Sequence, residues 1–103
     1  MRHALTLIIT RDVENRHRGL LHSAMLEVST GVYVSLQMNQ DARDRVWAVL
    51  SKWYQARPRG SIVMIWRDRD GIGNVGARHL GEISRYICEV DGILLTRIRK
   101  SEI

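Results

Sequence analysis

Asp12 stands just past an apolar, β-branched run, Ala4 to Thr10. A carboxylate at such a strand end can point into a cleft or meet its symmetry mate across a dimer axis. Mg²⁺ takes one or two protein carboxylates and fills its shell with water and substrate phosphates, so two copies of Asp12 could hold it. The competing reading is that Asp12 caps the following turn or pairs with an arginine. Arg16-His17-Arg18-Gly19 offers different chemistry. At the start of a helix, free backbone N–H groups, the positive end of the dipole, two arginines and a glycine permitting close approach form a phosphate site. A further basic set lies downstream, in Arg78, Arg85, Arg97, Arg99 and Lys100.

Other motifs carry less. Gly71-Ile72-Gly73-Asn74-Val75-Gly76 matches GxGxxG, but the dinucleotide fingerprint needs a helix opening at the turn and an acidic residue about 20 positions on. Charged residues separate these glycines from the preceding strand, and a flexible loop is the better reading. Asp68-Arg69-Asp70 starts like a calcium loop, yet Ile72 falls where an oxygen ligand is required and His79 where the closing glutamate belongs. Its alternation with Arg67 predicts a strand extension with one basic and one acidic face. His3, His17, His22 and His79 lack metal-ligand spacing. Cys88 reads as an inert buried thiol, and neither Ser23 nor Ser35 has a nucleophile signature. Trp47, Trp53 and Tyr54 follow helical spacing and read as core rather than a base-stacking platform.

These groups must be positioned by a small set of elements. Ala4–Thr10 predicts a strand covered on both faces. Asn15 is placed to cap a first helix whose apolar stripe is Leu20, Leu21, Ala24, Met25 and Val28. Gly19 within it costs about 1 kcal/mol against alanine, which points to a close backbone approach. From Glu27 to Met38 the period changes to two, broken at Ser29-Thr30-Gly31, giving one bent strand or two short ones. Asn39 caps a second helix with Asp41 and Asp44 in its first turns and a stripe of Val46, Trp47, Leu50, Trp53 and Tyr54; Pro58 and Gly60 stop it. Ser61–Trp66 is another apolar strand, and Tyr86–Glu89 and Ile93–Arg99 are strand-like. The order predicts an α+β, ferredoxin-like βαββαβ sandwich. There the strand after the second helix lies at a sheet edge, and an edge as apolar as SIVMIW needs a cover. C-terminal β segments, or those of a second subunit, would supply it, and a symmetric homodimer is the simplest solution.

Composition narrows the partner. The chain has 103 residues, 45% of them apolar and 26% charged, enough for a packed core and against global disorder. We expect a single domain over 1–103, with the core at about 1–80 and a C-terminal strand and tail at about 86–103. One cysteine excludes a disulfide framework within the chain. No apolar run reaches membrane-spanning length and the start reads as a strand, so a cytoplasmic protein without a membrane partner is expected. The net charge is +5, and fourteen of the sixteen basic residues are arginine. Arginine's planar fork pairs bidentately with phosphate, and a small basic chain fits a polyanion, nucleic acid above all.

Taken in order, R-x-R-G (Arg16, Arg18, Gly19), L-E-V-x-x-G-V-Y-V (Leu26 to Val34), Trp47 and I-V-M-x-W (Ile62 to Trp66) resemble the Cas2 family, the small CRISPR-associated spacer-acquisition proteins, in its type I-E branch. The likeness spans about residues 4 to 95. It implies a ferredoxin-like homodimer held between dimers of the CRISPR integrase, bridging them and gripping the middle of a double-stranded protospacer DNA. Arg16 and Arg18 match the family's duplex-backbone arginines, Arg85 is a third match, and Arg78 joins them in the basic set. The integrase-docking strand maps to about residues 93–98. Some family members are described as metal-dependent endonucleases with an acidic residue at the end of the first strand. Here Arg11 occupies the branch's usual glutamate position and Asp12 follows one residue later. A one-residue slip at a strand end can reverse the side chain, which argues against intrinsic nuclease activity.

The leading expectation is thus a non-catalytic, DNA-binding structural subunit of spacer integration that needs no cofactor. The alternative is a Mg²⁺-dependent endonuclease, an endoribonuclease or DNase like the toxin-like relatives, with Asp12 as catalytic and metal-binding residue. A third reading, a dimeric module binding a small ligand, is disfavoured by the arginine excess.

Overall fold

In a computed structural model, the chain is described over residues 3–81, 85–90 and 93–98, with side chains described for 5–81 and Thr96. The apolar run forms β1 (His3–Arg11), followed by α1 (Asn15–Ala24), β2 (Leu26–Ser29), β3 (Val32–Asn39), α2 (Gln40–Ala56) and β4 (Ser61–Arg67). A single 3₁₀ turn (Ile72–Asn74) leads into β5 (Val75–Leu80), and β6 (Arg85–Val90) and β7 (Ile93–Ile98) form a separate antiparallel pair. The main sheet is antiparallel in the order β2-β3-β1-β4-β5. Two helices and this order are compatible with a ferredoxin-like fold, extended by one strand at the β4 edge.

Strand alternation separates the two faces of the sheet. Ile8, Tyr33, Ile62 and Met64 point to the helix side and are buried there with Leu21 of α1 and Leu50 of α2. The opposite face carries Leu5, Ile9 and Leu36, which stay 46%, 40% and 71% exposed. Asn39 caps α2 as its sequence predicts, its Oδ1 accepting from the Ala42 N–H at 2.8 Å.

Several expectations are corrected. The residue at the N-cap of α1 is Glu14, with Asn15 already helical, and no side chain bonds the free N–H groups. The helix stops at Ala24, so Val28 lies in β2 and is exposed, as is Ala24; the stripe reduces to Leu21 and Met25 with half-buried Leu20. At Ser29-Thr30-Gly31, of the two readings offered, two short strands are the one found. β4 ends at Arg67 rather than running on through Asp70, because the Asp68 carboxylate bonds the Asp70 N–H at 3.0 Å and turns the chain. The glycine segment read as a loop becomes the 3₁₀ turn and β5, and β5 is the strand that covers the β4 edge. Gly76 explains the pairing: a Cβ there would collide with the Trp66 ring, so only glycine lets β5 lie flat across β4.

Candidate nucleic-acid interface

Residues 11–16 carry the chain from the end of β1 into α1. Asp12 takes a left-handed conformation (φ +55), which turns its side chain out to solvent, where it is 70% exposed. Its Oδ1 accepts from the Arg59 guanidinium at 3.1 Å. The pairing with an arginine weighed from the sequence is the one found. Among the described residues, no group of three or more His, Cys, Asp or Glu side chains is placed to hold a metal ion. A lone carboxylate is a poor fit to Mg²⁺, which takes several oxygens.

Arg16 and Arg18 sit about 200° apart around α1, at 3.6 residues per turn, and go to different neighbours. Arg16 lies over the Trp53 ring, 5.1 Å from its centroid, and donates to the Trp53 carbonyl at the C-terminal end of α2, 3.3 Å away. That carbonyl also accepts the Arg57 N–H, 3.2 Å away, the bond that closes the last turn of α2. Arg18 turns toward the β2–β3 edge, where its guanidinium lies 3.6 Å from Glu27 and stays 42% exposed. Glu27 also accepts from the Gly31 N–H at 3.0 Å and meets His22 Nε2 at 3.1 Å. The Gly31 N–H is the main influence holding the Glu27 carboxyl below the usual glutamate range, assisted by Tyr33, His22 and Arg18 and opposed by partial burial. The neighbouring Tyr33 hydroxyl, chiefly, and the Glu27 carboxylate raise the Arg18 pKa above the ordinary arginine value.

The remaining predicted contacts lie elsewhere. Arg78 projects from β5 onto α2, bonding Asp44 at 2.7 Å with its guanidinium 5.1 Å from the Trp66 centroid. Asp44 and Trp53 are nine residues apart along α2, roughly 13 Å at 1.5 Å per residue, so Arg78 and Arg16 do not form one patch. Arg85 begins β6 opposite Ile98; its side chain, with those of residues 93–95, 97 and 98, lies outside the described residues, as does the tail from 99.

The sequence reading weighs His17 as a metal ligand and not as a core residue. It is 1% exposed, edge-on to Trp53 at 5.9 Å, with neither ring nitrogen hydrogen-bonded. The signal was available, since His17 lies one turn before Leu21 on the buried stripe. Also missed were Arg57 and Arg59, whose ion pairs to Glu14 (3.7 Å) and Asp12 (3.1 Å) bring the α2–β4 loop beside the start of α1.

The arrangement is chemically simple. Guanidinium groups surround a helix start whose free N–H groups no side chain caps, a setting that attracts anions. Compared with known families, residues 5–95 match a family described as CRISPR-associated protein (Cas_Cas2CT1978). A search of curated proteins gave no match.

Proposed function

The chain belongs to the Cas2 family of CRISPR-associated proteins, and we propose that within it this protein is a non-catalytic structural subunit of spacer acquisition that grips duplex DNA by its phosphates. The observation that carries the reading is the start of α1, with no side-chain cap and with Arg16 held beside it by the Trp53 ring and carbonyl. Contacts of this type fix a duplex without reading its bases. Arg18 is the second proposed contact. Its Glu27 pair is partly solvent-exposed, so the guanidinium keeps donors for a phosphate. Arg78, bonded to Asp44 and stacked on Trp66, acts in this reading to dock β5. Arg85 stays a proposed contact on the strength of the family resemblance, as does docking on the integrase through residues 93–98.

The working form is a homodimer. The sheet face opposite the helices exposes Leu5, Ile9, Leu26, Val28 and Leu36, and an apolar face of this extent calls for a partner; a second copy presents the same face in return. A metal-dependent endonuclease working through Asp12 has less support, because among the described residues Asp12 joins no group of three or more His, Cys, Asp or Glu side chains that could hold a metal ion.

Replacing both Arg16 and Arg18 with alanine is expected to weaken binding to a DNA duplex of arbitrary sequence. It should also flatten the dependence of log affinity on log salt by about one unit per lost contact. Unchanged affinity and slope in a folded double variant would refute the reading. EDTA-sensitive cleavage abolished by Asp12→Ala would favour the nuclease.

A further inference from the structure

The loop from α2 to β4 reads Arg57-Pro58-Arg59-Gly60 and folds onto the end of β1. Gly60 (φ +73) lets the two backbones touch; a Cβ there would collide with the carbonyl oxygens of Arg11 and Asp12. The ladder continues the contact, with Arg11 opposite Ser61. On the other side of the loop, the Arg57 N–H and the Arg16 guanidinium donate to the same acceptor, the Trp53 carbonyl, at 3.2 and 3.3 Å. Two stretches distant in sequence, residues 11–16 and 57–60, therefore bring Arg16, Arg57 and Arg59 to one corner, against two carboxylates, Asp12 and Glu14.

Those carboxylates hold the arginines loosely. The Arg57 side chain is 76% exposed and its pair with Glu14 spans 3.7 Å; Arg59 is 60% exposed, and its bond to Asp12 uses one of its five donors. Exposed pairs of this kind contribute below about 1 kcal/mol, so exchanging a carboxylate for a phosphate costs little. Pro58 fixes one backbone dihedral between Arg57 and Arg59 and reduces the ordering cost of presenting both.

We propose that this corner is a second contact surface for the phosphate backbone of duplex DNA, formed by Arg57 and Arg59 and continuous with Arg16. The proposal rests on the DNA-gripping function above and extends it beyond α1 to the Arg57–Gly60 loop. The surplus of guanidinium over carboxylate, three groups against two, matches the closely spaced charges of a duplex, one per about 1.7 Å of helix axis.

The test measures retention of a labelled, random-sequence DNA duplex by the full-length protein across a salt series. It compares wild type, R57A/R59A, R16A/R18A and R67A/R69A. The last removes the same charge from exposed positions at and beyond the far end of β4. R57A/R59A should lower affinity about tenfold at moderate salt and flatten the salt slope by one to two units, with an unchanged melting temperature, while R67A/R69A stays near wild type. Equal effects of R57A/R59A and R67A/R69A would reduce the corner to overall charge and overturn the proposal. So would wild-type behaviour of R57A/R59A alongside weakened R16A/R18A, a result that leaves the DNA-gripping function standing. Wild type without salt-sensitive retention would remove both. Loss of poly-glutamate binding in R57A/R59A with DNA retention intact would reassign the corner to an acidic protein segment.

Discussion

Two regions of this molecule set arginine on tryptophan at the same 5.1 Å, and the arginines do different things. Around Trp66, Arg43 and Arg78 each approach the ring. Arg43 is 9% exposed with Nη1 bonded to the Met38 carbonyl, and Arg78 is bonded at 2.7 Å to Asp44. Around Trp53, Arg16 is exposed and its neighbours Arg57 and Arg59 are held by single, solvent-facing ion pairs. The first cluster ties α2 to β4 and β5. The second leaves most of its donors in water. Arginine content is shared by both regions, so what marks a binding surface is the number of donors left over once intramolecular partners are met.

Trp66→Ala carries the largest expected effect. If Trp66 organises the α2–β4–β5 brace, its loss removes a large partly buried ring, two cation–π contacts and the surface on which Gly76 rests. Destabilisation of roughly 3 kcal/mol is expected from urea unfolding, with hydrogen-exchange protection lost first along β5. A cost under about 1 kcal/mol would mean that β5 is held by its ladder alone. Arg78→Ala tests the same brace more gently. Loss of its Asp44 bond and its ring contact should cost about 1 kcal/mol and leave the salt slope of duplex binding as in wild type. A flattened slope would move Arg78 from the brace to the binding surface.

The sequence revealed these regions unequally, for physical reasons. β1, α2 and β4 were legible because their apolar periodicity, the Asn39 cap and the Pro58 stop agree with one another. β5 was not, because Val75–Leu80 is interrupted by Gly76, Arg78 and His79, and its place depends on a contact between Gly76 and Trp66 that no local pattern announces. In the candidate interface, the phosphate chemistry of Arg16 was readable from its place at a helix start. The divergence of Arg18 follows from helical geometry alone but was not drawn from the spacing. Arg57 and Arg59 were hidden because the loop stopping α2 meets the end of β1 only after the sheet has formed. Asp12 shows the converse: its position at a strand end was plain in the sequence, but its arginine partner lies 47 residues away.

Arg18 lies between the two extremes, 42% exposed yet joined to the Glu27 network, and its surroundings respond to pH. Glu27 is held below the ordinary glutamate value chiefly by the Gly31 N–H. A carboxyl lowered in the folded state stabilises the fold above its unfolded pKa and loses that contribution as pH falls through the folded value. Wild-type stability should therefore decline from about pH 4 downward, near the unperturbed glutamate value, and Glu27→Gln should flatten this part of the profile in denaturant titrations at successive pH values. The same variant removes the carboxylate that competes for Arg18, so duplex affinity at neutral pH should rise slightly. If it falls instead, Glu27 positions Arg18 for the phosphate, and a network, rather than surplus donors, would define the grip on that side of α1.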